Sequence, residues 1–165
     1  SKPMVRLLGS GAILNECLKA HEILKQFDIS SEVWSVTSFN MLRKDGMEVE
    51  NANLKNPSKT PQASYVEQSF AHENIPAVAA TDYMRAYAEQ IRPFVKGTYF
   101  TLGTDGFGRS DSRKKLREYF EVDANNIAAT AAYALLQDQR IDKKQVGKIY
   151  EKLGINKDKS SPWVQ

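Results

Sequence analysis

The sequence predicts an α/β protein, a three-layer α/β/α sandwich over a mostly parallel sheet. Short runs of strand-forming residues carry that prediction: Val5-Arg6-Leu7-Leu8, Val33-Trp34-Ser35-Val36, Ala77-Val78-Ala79-Ala80 and Tyr99-Phe100-Thr101-Leu102. They alternate with longer segments whose apolar residues recur at three- and four-residue steps, the period of a helix with one buried face. Composition adds a second observation. Of 165 residues 41% are hydrophobic and 26% charged, with only nine Gly and six Pro, which supports one packed core and excludes a collagenous, low-complexity or largely disordered chain. No repeat interrupts the sequence, and its length fits a single domain over residues 1–165.

Taken in order, the first strand closes on Gly9-Ser10-Gly11, and Ile13, Leu14, Cys17, Leu18, His21, Leu24 and Phe27 then fall on one helical stripe. After a turn over Asp28 to Glu32 the second strand completes a βαβ unit, whose crossover is right-handed. Ser38 to Arg43 reads as a short helix, and Asp45 to Thr60, with four Asn or Asp and a Pro, as a long exposed loop. Pro61 sits where a first helical turn accepts it, and Ser64-x-x-Glu67 matches a capping box, predicting a helix through about Ala71. Pro76 introduces the third strand. Thr81 or Asp82 then caps a helix carrying Met84, Tyr87, Ala88 and Ile91, which Pro93 ends. Beyond the fourth strand, helices are predicted over Ser112 to Phe120, over Ala124 to Gln137 behind Asp123, and over Lys143 to Leu153. The last has Asp142 as N-cap, Ile141 and Val146 at staple positions, and Gly154 just past its end.

The charge balance excludes one class of partner. A net +3 from 23 basic and 20 acidic residues is too even to build the dense positive face that nucleic acid requires. The longest nearly unbroken apolar run, Ile127 to Leu136, is too short to span a bilayer and contains Thr130, so no membrane segment is expected and the protein reads as soluble. A lone Cys17 excludes an internal disulfide and suits a reducing compartment. Ser1-Lys2-Pro3 leads almost at once into a strand, without a signal-peptide pattern or an initiator Met, which points to a piece of a longer polypeptide.

Gly9-Ser10-Gly11 opens a phosphate cradle, where backbone N–H groups and a helix N-terminus can face an anion. The rest of a dinucleotide fingerprint is missing: Leu14 takes the place of the third glycine, and Val36-Thr37-Ser38 lacks the acid a ribose needs, so a structural strand-to-helix turn is the better reading. Cys17 and His21, one turn apart, could supply half a metal site, but with no third ligand visible they read as a buried thiol and a partly buried imidazole. His72 reads as a charge complement at a helix C-terminus. There is no nucleophile elbow and no carboxylate pair, so no catalytic residue and no metal or cofactor ligand is assigned. The densest unusual segment is Gly103 to Arg113. Its three glycines free the backbone while Asp105, Arg109, Ser110, Asp111 and Arg113 concentrate polar and charged groups at the carboxyl edge of the sheet. It stands as a candidate anion-binding or interface loop, against a tight turn that caps the next helix.

At this segment the chain resembles a known family. "LLGSGAIL", "SEVWSVTSFNMLRKDG", "PAVAATDYMRAYAEQIRPFV" and "YFTLGTDGFGRSDSRKKLREYFEVDANNI" together are similar to the C-terminal domain of the homodimeric bacterial pyruvate dehydrogenases, within the transketolase C-terminal-domain superfamily. The resemblance implies a cytoplasmic parent oxidoreductase that decarboxylates pyruvate on thiamin diphosphate and Mg²⁺ and passes acetyl to lipoyl groups. It further implies as partners the remaining domains of the subunit, its homodimer mate and the dihydrolipoyl acetyltransferase component. In that family the cofactor is held by the preceding domains, so this domain is expected to be noncatalytic, with a structural and interaction role. The same resemblance implies an additional antiparallel strand upstream, lying beside the strand around Val33 to Val36. Asp105-Gly106 followed by Asn125-Asn126 faintly echoes the family's metal motif, but Thr104 replaces the first glycine and the spacing is short, so Asn125 and Asn126 are placed in a helical first turn. The alternative function is a free-standing α/β domain binding a nucleotide or other anion at Gly9 to Gly11 and Gly103 to Arg113.

Overall fold

The strands at Val5 to Leu8 and Ala77 to Ala80 carry aliphatic residues on both faces, which demands cover on both sides, and the chain supplies it. The computed structural model describes residues 1–104 and 122–155. Strands β1 (Met4–Gly9), β2 (Ser30–Ser35), β3 (Ala77–Ala80) and β4 (Tyr99–Leu102) form a parallel sheet in the order β2-β1-β3-β4, with Arg6 in register with both Glu32 and Ala77. Alternation divides the core in two. Val5, Leu7, Val78, Ala80 and Leu102 face helices α1 (Ile13–Lys25) and α5 (Ala124–Gln137), with α6 (Lys143–Leu153) packed on α5. On the other face, Leu8, Ala77, Ala79 and Tyr99 meet Phe39 of α2 (Phe39–Lys55), Val66 of α3 (Tyr65–Phe70), Ala88 of α4 (Arg85–Glu89), and Ile91 and Phe94 around the 3₁₀ turn Arg92–Phe94. Helices on both faces of a parallel sheet make the α/β/α sandwich that the alternation of segments predicts.

The helix ends follow local chemistry. Ser64 and Glu67 form a reciprocal capping box, with Glu67 N donating to Ser64 Oγ (3.2 Å) and Ser64 N to Glu67 Oε1 (3.1 Å). Asp142 and Gln145 do the same at α6, over the buried pair Ile141 and Val146, and Gly154 ends that helix at φ +64°. Asp123 accepts from Asn126 N at the start of α5.

The turn expected over Asp28 to Glu32 is strand from Ser30, where parallel pairing sets Ser30 beside Met4 and Glu32 beside Arg6. Two further expectations are corrected. The loop placed at Asp45 to Thr60 is helix as far as Lys55. Ser38 caps α2 by accepting from Met41 N (3.1 Å), and the helix runs past Gly46 because that glycine lies against the Phe94 ring, where a β-carbon would stand 2.4 Å from Phe94 Cζ. The following chain returns along α2: Asn53 and Gln62 exchange two hydrogen bonds, and Tyr65 N donates to Asp45 Oδ2 (2.7 Å). These tertiary bonds use the Asn and Asp side chains that otherwise signal a loop, and Pro61 lies in this returning segment rather than in α3. The second correction concerns α4, which begins at Arg85 and lasts five residues. Thr81 Oγ1 accepts from Tyr83 N (3.1 Å) and closes a local turn, so neither Thr81 nor Asp82 occupies the N-cap, which is Met84. The helix predicted over Ser112 to Phe120 lies outside the described residues.

A paired substitution tests the α2 packing. Gly46→Ala gains helix propensity but forces a methyl into the buried Phe94 ring, and is expected to cost about 1–3 kcal/mol. Gly147→Ala in α6, where nothing lies within 4 Å of the added carbon, is expected to stabilise by roughly 0.5–1 kcal/mol. Urea melts of the two variants beside the parent chain measure both signs.

Candidate functional site at the carboxyl edge of the sheet

The connection from β1 leads to β2 on one side, and the next strand in sequence, β3, lies on the other. The chain therefore diverges between β1 and β3, and open α/β sheets place ligands and partners at the carboxyl side of such a point. Here the edge holds an open cleft of about 500 Å³ lined by Ser10, Gly11, Thr37, Ser38, Phe39, Asn40, Thr81, Tyr83 and Tyr87. None of these is Asp, Glu, His, Cys, Lys or Arg, so the described lining can hydrogen-bond and stack but offers no carboxylate or imidazole base.

The Gly9-Ser10-Gly11 turn is built by packing. A β-carbon at Gly9 would stand 2.9 Å from both Cys17 Sγ and Leu14 Cα, so its absence lets α1 close onto β1. Gly11 adopts φ +59°, the left-handed region open to glycine. The amide donors that an anion would need are largely committed: Ser10 N donates to Ala80 O (3.3 Å), Ile13 N to Ser10 O (3.2 Å) and Leu14 N to Gly11 O (3.3 Å). The Asp82 carboxylate also approaches, with Oδ1 3.7 Å from the position of a Gly11 β-carbon.

Beside this turn, the start of the loop expected at Gly103 to Arg113 is tied to the Tyr83 turn. Thr104 N donates to Tyr83 O (2.9 Å) and Thr104 Oγ1 to Asp82 O (2.7 Å). A β-carbon at Gly103 would lie 2.5 Å from Arg85 N, so glycine is required by the close approach of two backbones. The same turn presents Tyr83, 64% exposed, with Met84 and Tyr87, the two tyrosine rings 5.6 Å apart. The sequence reading placed Met84 and Tyr87 on a helix with Ala88 and Ile91 and did not single out this aromatic patch. The signal that could have found it is the shortness of the segment between β3 and Pro93, which leaves little helix to bury them. Asp105, Arg109, Ser110, Asp111 and Arg113 lie outside the described residues.

The other candidates are dispersed. Cys17 is fully buried, and burial, with a smaller contribution from Glu16, pushes its thiol up to about 12. His21 Nδ1 lies 2.6 Å from Ser31 Oγ. Among the described residues no three His, Cys, Asp or Glu side chains converge as a metal site would require. Asn126 N and Nδ2 both donate to Asp123 Oδ1 (2.8 and 2.9 Å), and Asn125 Nδ2 reaches Leu153 O at 3.5 Å, so both serve helix ends. His72 corrects its reading: it sits past the end of α3, and its Nε2 is 3.1 Å from Glu32 Oε1.

That contact belongs to a cluster which the sequence reading missed. Arg6, 2% exposed in the middle of β1, donates from Nε to Glu32 Oε2 (3.1 Å) and from Nη2 to Glu73 O (3.0 Å), while its guanidinium lies 4.2 Å from the Phe70 ring centre. Trp34 Nε1 also donates to Glu32 Oε2 (2.5 Å). Partial burial pushes the Glu32 carboxyl up, but the hydrogen bonds from Trp34, Arg6 and His72 and the Arg6 charge together hold it below the ordinary carboxylate range. The signal was available: Arg6 interrupts an aliphatic strand, and setting β1 beside β2 brings Glu32 opposite it.

Residues 1–123 match the model for the transketolase-like TK C-terminal domain, and the chain belongs to that family. Among individual proteins it is similar to the pyruvate dehydrogenase E1 component of Pseudomonas aeruginosa, 49% identical over 96% of this chain, and to that of Escherichia coli, 47% identical over 98%. The chain spans 18% of the length of each of these relatives. A split-gene transketolase solved as an inactive β4 tetramer shares the fold, with TM-score 0.58 at 15% identity over 82% of this chain and 40% of that one. Among the described residues no helix is long and apolar enough to cross a membrane.

The Glu32 cluster sets an acid limit. Because the folded carboxyl ionises at lower pH than the unfolded one, its stabilisation is fully present above the unfolded value of about 4.3 and is lost as pH falls through the lower folded value. Glu32→Gln is expected to destabilise by roughly 2–4 kcal/mol near neutral pH, since it weakens the partner of a buried guanidinium. It should also flatten the fall in stability between about pH 5 and pH 3. Urea melts across that range measure both.

Proposed function

We propose that this chain is the C-terminal structural and interaction domain of a pyruvate dehydrogenase subunit, a single domain over residues 1–165 that takes no direct part in the chemistry. The longer enzyme decarboxylates pyruvate on thiamin diphosphate and Mg²⁺ and transfers acetyl to lipoyl groups. Its partners are its homodimer mate and the dihydrolipoyl acetyltransferase component, in the cytoplasm of a bacterium. One observation carries the reading: nearly the whole chain aligns, at 47–49% identity, with less than a fifth of enzymes named pyruvate dehydrogenase E1 component.

Within that role the carboxyl edge is the contact surface. Tyr83, Met84 and Tyr87 present apolar area beside Thr104, from which the segment carrying Asp105, Arg109, Ser110, Asp111 and Arg113 departs. Exposed aromatics are the composition of an interface anchor, and the Arg109 and Arg113 that follow Thr104 in sequence are of the residue type that makes forked, charge-assisted hydrogen bonds to carboxylates. Thiamin diphosphate and Mg²⁺ have no matching donor set among the described residues, where Asn125 and Asn126 serve helix ends and no acidic cluster forms, so no step of the reaction is assigned to this domain. An anion at Gly9 to Gly11 would meet amides that are largely committed to backbone carbonyls.

Two measurements test the reading. Calorimetry of the chain with thiamin diphosphate and Mg²⁺ should show no binding, and a dissociation constant in the micromolar range overturns the noncatalytic assignment. Tyr83→Ala, Arg109→Ala and Arg113→Ala should each move the unfolding free energy of this chain by less than about 1 kcal/mol. In the complete subunit the same changes should weaken assembly or lower pyruvate decarboxylation. Unchanged assembly and activity in all three would show that the edge is not a contact surface.

A further inference from the structure

At the end of the sheet opposite the hydroxyl-lined cleft, between α3 and the segment that enters β4, lies a second cavity of about 340 Å³. Arg6 borders it from β1, Glu67 and Phe70 from α3, and Glu73, Phe94 and Lys96 from the connections around β3 and β4. The Arg6 side chain is 3% exposed, and its hydrogen bonds to described residues use Nε, to Glu32, and Nη2, to the Glu73 carbonyl. No described residue accepts from Nη1. That nitrogen is not sealed in the interior either, since among the described residues the side-chain polar atom both sealed and unbonded is Gln90 Oε1. The free N–H groups of Arg6 therefore open on the cavity, where a cation so withdrawn from bulk water needs an acceptor.

The charges around the cavity select the molecule that supplies this acceptor. Arg6 and Lys96 are positive and Glu67 and Glu73 negative, and Glu67, Glu73 and Lys96 form no ion pair with any described residue. A simple carboxylate is attracted by the first two and repelled by the second two, and a simple amine meets the reverse. A molecule that carries both charges gains from all four. Glu67 is already held for that role, because its Oε1 accepts from Ser64 N in the capping box while Oε2 has no described donor. The Phe70 and Phe94 rings add apolar wall. We propose that this cavity binds a free α-amino acid with an apolar side chain. The ligand's carboxylate takes the open Nη1 of Arg6 with Lys96 beside it, its ammonium takes Glu67 Oε2 and the Glu73 carboxylate, and its side chain lies against Phe70 and Phe94. The volume stands at the lower end of small-molecule sites, roughly 300–1,000 Å³, which suits a ligand of this size. The site is separate from the carboxyl edge and does not depend on that edge being a contact surface.

Calorimetry of the 165-residue chain with L-leucine tests this. L-leucine should bind with a dissociation constant below about 1 mM, and 4-methylpentanoate, without the ammonium, and 3-methylbutylamine, without the carboxylate, should each bind roughly tenfold more weakly or worse. Glu67→Gln keeps the capping box, because Gln at that position accepts from the same backbone N–H, and removes only the charge. It should raise the L-leucine dissociation constant about tenfold and leave that of 4-methylpentanoate no higher. Lys96→Gln, at an exposed position, should weaken L-leucine as well, and urea melts establish that both variants stay folded. A second measurement reads location: Trp34 Nε1 donates to Glu32 Oε2, the oxygen that Arg6 Nε also uses, so the Trp34 indole N–H resonance should shift as L-leucine saturates the site. Absence of binding up to about 10 mM L-leucine overturns the proposal. So does 4-methylpentanoate binding as tightly as L-leucine, which would leave only an anion on Arg6, or an L-leucine affinity indifferent to Glu67→Gln, or binding that leaves the Trp34 resonance unmoved.

Discussion

β3 gives the sheet only Ala77, Val78, Ala79 and Ala80, and α5 meets that sheet with Ala128, Ala131 and Ala132 among its buried residues. Small side chains on both surfaces bring helix and strand close, and close packing is what makes so short a strand worth ordering. The same constraint recurs wherever an element crosses another. Gly9 admits α1 to within contact of β1, Gly46 admits α2 to the Phe94 ring, and Gly103 admits the end of β4 to the Tyr83 turn. Each glycine marks a point where a β-carbon would occupy space already filled.

Close approach on both faces leaves the two ends of the sheet to differ in chemistry. Toward the amino ends of the strands, Arg6 is driven into the interior and is stable there because Glu32, a backbone carbonyl and the Phe70 ring replace its water. At the carboxyl edge, the turns after β1, β2 and β3 bring hydroxyls and exposed tyrosines together without a fixed charge among the cleft-lining residues. The first end is suited to holding β1 and β2 in register, and the lining of the second can hydrogen-bond and stack. β2 is one of the two edge strands of the described sheet, so the Arg6–Glu32 pair also anchors a strand that has one neighbour among the described residues.

Much of the fold was legible in the sequence because local rules governed it. Three of the four strands stand where β-branched, aromatic and alanine runs place them, while β2 starts at Ser30, inside the expected turn, because pairing with β1 orders residues that have little strand preference of their own. The Ser64–Glu67 box, the Asp123 and Asp142 caps and Gly154 mark helix ends to the residue, since each acts within a single turn. Membership of the transketolase-like C-terminal family was legible too, in continuous motifs. The errors fell where distant residues intervened. Asp45, Asn53 and the Pro61 region look like a loop until Tyr65 and Gln62 arrive to bond them, and α4 shortens because Thr81 spends its hydroxyl on Tyr83 rather than on a cap.

The sequence by itself determined the order and kind of most elements, the parallel sheet, and the carboxyl edge as the place to look for function, because these follow from periodicity and from caps that span a few residues. Only the tertiary structure decided that Arg6 has Glu32 as its partner and that Met84 and Tyr87 turn outward. Each of these depends on which residues meet across the sheet or lie uncovered after packing, and spacing along the chain does not encode what a fold leaves exposed.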